Sequence, residues 1–235
     1  MHDRKPDLGL PRELCEGVFL VGGPGVSGSQ DALSYLVKGS SARVLVDCGS
    51  GPSIDRILAL AGKAGGGPPT HLLLTHAHID HCGGAAQARR KTGCQVLIHK
   101  GDAAALENGD PVRSAAGWYG LTLEPTMPDL TLTGGEEIPL ENGEPLHIVH
   151  APGHTPGSLV AWADLGGKRV LFGQDVHGPF SPQFGSDLTT WAYSMRGLLE
   201  LQADILCEGH FGVFQPAGEV EGFIKSQLTA NGFQV

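Results

Sequence analysis

Short apolar runs separated by turns rich in glycine, serine and proline dominate the first half of the chain. Five of these runs have the length and the valine and leucine content of β-strands, namely residues 17–21, 33–37, 44–47, 72–74 and 95–99. Between them, the apolar spacing predicts a helix that begins after Ser53, a residue typical of the N-cap position, and a second helix over about residues 84–91.

The second half of the chain repeats this pattern. Its predicted strands are residues 130–132, 146–150, 159–163, 170–172 and 205–207. Helices are predicted over about residues 188–202 and 218–228. Strands grouped early in each half, with helices between and after them, favour an α/β protein in which two sheets pack face to face and helices cover their outer faces.

The chain contains no linker long enough to separate domains, so residues 1–235 are predicted to form a single domain. Residues 107–129 have the least regular pattern and are predicted to form a loop over the functional site.

Composition and charge narrow the class of function. The net charge of −9 argues against a nucleic-acid surface, which needs clustered lysine and arginine. The five cysteines are odd in number and form no CxxC pair, so the sequence indicates neither a disulfide framework nor a structural zinc knuckle. No apolar leader begins the chain, and no apolar run approaches the ~18 residues that span a bilayer. We therefore expect a cytoplasmic protein that acts on a small molecule, without nucleic-acid or membrane partners; no pattern identifies an oligomer interface.

One segment concentrates groups that bind metal ions. His76, His78, Asp80 and His81 lie within six residues, directly after the apolar run 72–74. Imidazole and carboxylate groups suit zinc, iron or manganese. Alternate residues of an extended segment point to the same side, so His76 and His78 are predicted to face one ion, while Asp80 and His81 turn towards a second.

Three further residues of the same chemistry follow predicted strands in the second half. His154 lies in a proline- and glycine-rich turn, Asp175 follows the strand 170–172, and His210 follows the strand 205–207. Any one of them alone would be typical of a turn residue that hydrogen-bonds to the backbone. Their combination with the histidine-rich segment predicts a shared metal site.

This constellation resembles the metallo-β-lactamase superfamily from about residue 17 to residue 210. The family pattern HxHxDH matches residues 76–81, and the later ligands match His154, Asp175 and His210. The resemblance implies an αββα four-layer sandwich of two mixed sheets flanked by helices. It also implies one ion held by His76, His78 and His154, a second held by Asp80, His81 and His210, and Asp175 as the bridge. Asp47 matches the family's early aspartate and is predicted to orient a ligand from behind.

The resemblance also separates branches of the superfamily. The commonest zinc β-lactamases carry a cysteine where Asp175 stands and an arginine where His81 stands, and this chain has neither. It is more similar to the glyoxalase II and lactonase branch. The expected reaction is hydrolysis of a thioester or other ester, like that of hydroxyacylglutathione hydrolases, in which a hydroxide bridging two divalent ions attacks a carbonyl. Zinc is the favoured metal, with iron or manganese as alternatives, and Asp80 and Asp175 are the predicted catalytic carboxylates.

Two alternative functions remain open at this point. One is a lactonase of the acyl-homoserine-lactone type, whose relatives place a tyrosine shortly after the bridging aspartate; here Tyr193 would have to replace it. The other is a mononuclear-iron dioxygenase acting on a persulfide, which a metal count would distinguish. His177, Phe180 and Tyr193 are the predicted substrate-binding residues, whereas Cys82 and Cys207 are expected to pack in the core.

Overall fold

A computed structural model describes residues 9–40, 42–140 and 144–234. Its first sheet comprises, among these residues, β1 (Arg12–Cys15), β2 (Val18–Gly22), β3 (Ser34–Lys38), β4 (Arg43–Val46), β5 (His71–Leu73), β6 (Gln95–His99) and β7 (Leu130–Leu132). The second sheet comprises, over the same described ranges, β8 (Glu137–Pro139), β9 (Pro145–His150), β10 (Leu159–Leu165), β11 (Lys168–Gln174), β12 (Ile205–Glu208) and β13 (Val213–Phe214).

The helices lie between and after these strands. They are α1 (Ile54–Gly65), α2 (Ile79–Cys82), α3 (Ala85–Thr92), α4 (Lys100–Asn108), α5 (Ala116–Tyr119), α6 (Leu188–Glu200) and α7 (Ala217–Ala230), with a 3₁₀ turn at Pro182–Phe184. Within the described part of the chain, every helix is too short or too polar to cross a membrane.

Both sheets are mixed. In the first, β1 to β4 pair antiparallel in chain order, and β4 to β7 continue as parallel neighbours. In the second, β8 to β11 form an antiparallel meander, β12 pairs parallel with β11, and β13 closes the edge antiparallel to β12. Parallel neighbours bring the carboxyl ends of their strands to one edge of a sheet, where ligand-bearing loops can meet.

Side-chain alternation along the strands produces four layers. Val44 and Val46 of β4 belong to the apolar cluster between the sheets, whereas Leu45 packs against the helices outside. Leu171 of β11 likewise faces outward, into a cluster that includes Trp191 of α6. Helices α1, α3 and α4 cover the outer face of the first sheet, and α6 and α7 cover that of the second. The predicted αββα sandwich of two mixed sheets flanked by helices is confirmed.

Most predicted elements are present with shifts of one to three residues at their ends. The predicted strand over residues 44–47 stops at Val46, because Asp47 adopts φ 59°, a left-handed conformation that a strand cannot accommodate. Ser53 precedes α1 as predicted, although its side chain makes no capping hydrogen bond there and instead donates to Asp31. The strands β1, β8 and β13 and the helix α4 were not predicted; β8 and β13 are too short to show alternation, and the small residues of α4 form only a weak apolar face.

The two sheets are joined by backbone hydrogen bonds at the edge where the metal-binding residue types cluster. The amide of Leu159 in β10 donates to the carbonyl of Thr75, which follows β5 in the other sheet, at 2.8 Å. The amide of Leu33, just before β3, donates to the carbonyl of Gly209, which follows β12, at 2.7 Å. These bonds fix the loops of one sheet relative to those of the other.

Candidate metal centre

The histidine-rich segment connects β5 to the short helix α2. His78 precedes α2 in an extended conformation, while Asp80 and His81 lie in its single turn. The amide of Ile79, at the start of α2, donates to the carbonyl of Ser114 at 2.8 Å. The change from extended chain to helix between residues 78 and 79 directs the side chains before and after it to different sides of the site, as the spacing predicted.

A first group of buried ligand-type side chains is formed by His76, His78, His154 and Asp175. Each offers one nitrogen or oxygen atom, and these atoms all lie within 4.8 Å of one another. His154 Nε2 is 3.0 Å from His78 Nδ1 and 3.4 Å from Asp175 Oδ2, and His76 Nε2 is 4.0 Å from the same carboxylate oxygen.

A second group is formed by Asp80, His81 and His210. His210 Nε2 lies 3.2 Å from Asp80 Oδ2 and 3.3 Å from His81 Nε2. Asp175 joins this group through its other oxygen, because Oδ1 is 3.0 Å from His81 Nε2 and 3.3 Å from His210 Nε2. A side chain at Gly209 would collide with Asp175 Oδ1, so the close approach of these loops requires glycine there.

The spacing between facing atoms fits metal coordination. Two ligands at 2.0–2.1 Å from one tetrahedral zinc lie about 3.4 Å apart. The observed separations of 3.0 Å between His78 and His154 and of 3.3 Å between His81 and His210 are close to that value. Nitrogen and carboxylate oxygen without thiolate suit zinc, iron or manganese.

The hydrogen bonds around His76 leave one nitrogen free to bind a cation. The Thr75 hydroxyl donates to Asp47, so it accepts from Nδ1 of His76 at 3.1 Å, and the lone pair then lies on Nε2. Nε2 of His76 is buried and has no hydrogen-bond partner among the described residues. Buried acceptors without donors are costly in a fold, and a bound cation would remove that cost. The residues present therefore fit a metal centre.

The protonation states of the first group suit cation binding, whereas in the second group nearby carboxylates overcome the effect of burial and raise the pKa of His81 and His210, so an ion there would displace protons. Burial lowers the pKa of His78 to about 3 and that of His154 to about 4, so both imidazoles are neutral near pH 7. Burial alone would raise the pKa of Asp175, but the nearby His81 and His210 hold it well below its usual range. Burial would lower the pKa of His210, yet the hydrogen bond with Asp175 raises it to about 10. The first group thus offers lone pairs without releasing protons.

Asp47 hydrogen-bonds directly to the predicted ligand His81 and, through Thr75, to the predicted ligand His76. Its Oδ2 accepts from Nδ1 of His81 at 2.7 Å and from the Thr75 hydroxyl at 2.8 Å, and its Oδ1 accepts from the Thr75 amide at 2.9 Å. These bonds place the Nε2 atom of His81 towards Asp175 and set the tautomer of that ring. The structure therefore places Asp47 where the sequence predicted an orienting residue.

A cavity of about 340 Å³ opens over both groups. It is lined by His78, Asp80, Ala115, Trp118, Tyr119, Asp175, His177, Pro179, Phe184, His210 and Phe211. Three of these residues come from the irregular segment 107–129, which was predicted to lie over the site. Asp80 and Asp175 are thus open to a bound molecule.

Only one of the three predicted substrate-binding residues lines this cavity. His177 does so, with its Nδ1 2.7 Å from Oε1 of the buried Glu208. Phe180 instead packs between the ring of His154, at 6.3 Å, and that of Trp191, at 5.1 Å. Tyr193 lies on α6 and is 80% exposed; it lines a different cavity, because the helix turns this position away from the metal centre.

The tyrosine that reaches the centre is Tyr119, which was not predicted. Its hydroxyl donates to Asp80 Oδ2 at 2.7 Å, and burial together with the charge of Asp80 raises its pKa well above the usual value. The phenol therefore stays protonated and remains a donor. The only signal in the sequence was the presence of aromatic residues in the irregular segment, which does not show which of them points inward.

Glu208, which the sequence analysis did not identify, positions residues of the metal centre through hydrogen bonds. Its Oε2 accepts from the amides of His210 and Phe211, each at 2.7 Å, while its Oε1 faces His177. One buried carboxylate therefore fixes both the loop that carries His210 and the side chain of His177.

Comparison with known proteins agrees with this geometry. The chain is 37% identical over 134 residues to a hydroxyacylglutathione hydrolase of Anaeromyxobacter dehalogenans, covering 57% of this chain and 43% of that protein. It is 27% identical over 189 residues to the acyl-coenzyme A thioesterase MBLAC2 of Homo sapiens, covering 70% of this chain and 65% of that one. The chain thus spans about half to two thirds of the length of these relatives.

Solved structures show the same fold. The class B3 di-zinc metallo-beta-lactamase LRA-12 from an Alaskan soil metagenome superposes with a TM-score of 0.75 at 22% identity, covering 98% of this chain and 95% of that one. The sequence profile of the metallo-beta-lactamase superfamily matches residues 29–210, a range that contains every predicted metal ligand. The chain therefore belongs to the metallo-beta-lactamase superfamily.

Proposed function

We propose that the protein hydrolyses a thioester or another acyclic ester with the help of two divalent metal ions, zinc being the first candidate. The observation that carries this proposal is the position of Asp175, whose two oxygens face two separate groups of buried ligands. A carboxylate between two ligand groups is suited to hold two ions close together. Members of this superfamily are metal-dependent hydrolases, and the relatives with thioesterase names support an ester-type substrate.

The division of roles follows from the distances. His76, His78 and His154 would hold one ion, Asp80, His81 and His210 the other, and Asp175 would contact both. When bound, such ions polarise a carbonyl group and lower the pKa of a water molecule towards neutrality.

The remaining groups would orient the substrate and manage protons. Asp80 and Asp175 line the cavity, so each can accept a proton from an attacking water or pass one to a leaving group. The Tyr119 hydroxyl fixes the position of one Asp80 oxygen. A leaving thiol or alcohol can depart through the cavity, which is open to solvent at the exposed rings of Trp118 and Phe211 and is also lined by His177 and Pro179.

The test is a metal count combined with a hydrolysis assay. The protein would be stripped with chelator, reloaded with zinc or with iron, and assayed on S-lactoylglutathione, short acyl thioesters, acyl-coenzyme A and a homoserine lactone. We expect two ions per chain and hydrolysis of a thioester or ester that chelator abolishes. One iron per chain with oxygen-dependent consumption of a persulfide, or cleavage of the lactone alone, would overturn the proposal.

The variant Asp175→Ala tests whether one carboxylate serves both groups of ligands, and Asp164→Ala is its control. Because Asp175 contacts both groups, we expect weaker binding of both ions. Loss of a residue that only hydrogen-bonds to a metal ligand lowers activity by up to about a hundredfold, so loss of Asp175 itself should lower it by more than that. Asp164→Ala, which removes an exposed carboxylate paired with Arg169, should leave metal content and turnover unchanged. Turnover like the wild type in the Asp175 variant would contradict a shared metal centre.

A further inference from the structure

We infer that the cavity over the metal centre binds the uncharged, apolar acyl or aryl part of the substrate in a slot between Trp118 and Phe211. This inference rests on the proposed ester hydrolysis and specifies its substrate class. Trp118 is 60% exposed and Phe211 is 62% exposed, and both line the cavity. Large apolar side chains that stay open to water around a concave site are typical of ligand contacts.

One wall of the slot is a continuous aromatic surface that leads from solvent to a predicted ligand. The ring of Trp118 meets that of Phe184 edge to face, with centroids 4.9 Å apart. Phe184 is buried and meets the ring of His78 at 4.5 Å. An apolar chain lying along this wall would have its carboxyl end beside the metal centre.

Phe211 and His177 form a second aromatic part of the lining. Their ring centroids are 4.6 Å apart, and Phe211 also meets Phe223 of α7 at 6.0 Å. The amide of Phe211 is held by the buried Glu208 at 2.7 Å. The exposed ring therefore stands on a fixed backbone beside His210.

The segment that carries Trp118 is also fixed. The carbonyl of Ser114 accepts from the amide of Ile79 in α2, and the side chain of Gln30 donates to the carbonyl of Tyr119 at 3.2 Å. Ala115, which precedes α5, has φ 55°, a left-handed conformation that is unfavourable for a residue with a side chain. Such strain is retained where the surrounding structure requires a particular chain direction, and here that direction places Trp118 over the cavity.

The outer part of the lining favours an apolar group over an anionic one. Among the described residues that line the cavity there is no lysine or arginine, and the carboxylates there are those of Asp80 and Asp175. Beyond the metal centre and His210, a phosphate or carboxylate would meet aromatic rings. An apolar acyl chain or aromatic ring would instead bury the rings of Trp118 and Phe211.

The experiment is a chain-length series on the zinc-loaded protein. Thioesters of one small neutral thiol with acetyl, butyryl, hexanoyl and octanoyl groups would be compared by kcat/KM. We expect kcat/KM to rise by up to about fourfold for each methylene that contacts the slot. Trp118→Ala and Phe211→Ala should flatten this rise, whereas Tyr193→Ala, which removes an exposed aromatic outside the cavity, should not.

A binding measurement separates this inference from the proposed function. Trp118 is exposed, Trp191 is buried, and Trp162 is half-buried on β10 beneath Arg169, so apolar contact at the slot should shift the fluorescence of Trp118 to the blue. We expect octanoate to cause the shift and acetate not to, and Trp118→Phe to abolish it. Hydrolysis of the series with equal chain-length dependence in wild type and both slot variants would overturn the slot and leave the hydrolase intact. A fluorescence shift without hydrolysis of any ester would support the slot and overturn the hydrolase.

Discussion

Asp47 accepts a hydrogen bond from Nδ1 of His81 at 2.7 Å, although the two residues are 34 positions apart in the chain. The bond is possible because Asp47 leaves β4 with φ 59°, which turns its carboxylate back towards the loop after β5. The neighbouring parallel strands β4 and β5 bring these two loops to the same edge. A backbone conformation that is unfavourable for aspartate thus orients a predicted metal ligand.

We predict that Asp47→Asn lowers zinc affinity by about tenfold to a hundredfold, since one acceptor for His81 or Thr75 is lost. Asparagine tolerates a left-handed backbone, so this variant should keep the conformation of the loop. Asp47→Ala should lose affinity and also stability, because alanine strains at this φ. Competition with a chromophoric chelator and thermal unfolding measure the two effects, with Asp164→Asn as the control. Unchanged zinc affinity in Asp47→Asn would refute the orienting role.

Tyr119→Phe tests the hydroxyl that reaches Asp80. Phenylalanine keeps the ring in its packing position and removes only the donor, and a hydrogen bond to a charged group contributes about 1.5–3 kcal/mol. We therefore expect kcat/KM to fall by roughly tenfold to a hundredfold. Tyr193→Phe is the matched control and should have no effect, because Tyr193 is exposed outside the cavity. A larger effect from Tyr193 than from Tyr119 would restore the interpretation made from the sequence.

Tyr119 and Tyr193 show that the sequence predicts strands and candidate ligands but not the direction in which a loop or helix residue points. The strands were predictable because runs such as residues 44–46 and 170–172 are buried on both faces, between one apolar cluster and another, and therefore appear in the sequence as continuous apolar runs. The candidate ligands were predictable because they follow strands and have metal-binding chemistry. Whether an aromatic residue points into the site depends on the chain direction set by contacts such as that between Ile79 and Ser114, which no local pattern encodes.

Glu208 shows the same limit for a buried charge. In the sequence it is one acid at the end of a strand, and its role depends on two backbone amides that turn back towards it after residue 209. Local periodicity identifies a strand end, whereas the partner of a buried carboxylate is a property of the folded loop.

The cysteines provide a test of burial and of pH dependence. Burial raises the pKa of Cys48, Cys82 and Cys207 well above the usual thiol value, while Cys15 is only partly buried. We predict that iodoacetamide at about pH 8.5 modifies Cys15 first and the four buried thiols, which include Cys94, only after unfolding. Because their pKa is higher in the fold than in the unfolded chain, the stability they contribute is present below about pH 8.5 and is lost as pH rises above it. Mass spectrometry of peptides and unfolding at several pH values measure both; rapid native labelling of Cys82 would contradict the burial.

Asp102 connects the two loops that carry His78 and His154. Its Oδ2 accepts from the amide of Ala77 at 3.1 Å and from the hydroxyl of Thr155 at 2.7 Å, and its Oδ1 accepts from the amide of Gly157 at 2.9 Å. Because the carboxylate is buried and both oxygens are used, no arrangement of an asparagine side chain can satisfy all three donors.

We therefore predict that Asp102→Asn destabilises the fold by about 1–3 kcal/mol, measured by urea unfolding. The loss of zinc affinity should be greater in the group that contains His78 and His154 than in the group of Asp80, His81 and His210, because the contacts of Asp102 with Ala77 and Thr155 are directly next to ligands of the former. A two-step zinc titration resolves the difference, and Thr155→Val, which removes one donor and keeps the carboxylate, should show a weaker effect of the same kind. Equal weakening of both steps would mean that Asp102 stabilises the fold in general without positioning these two histidines.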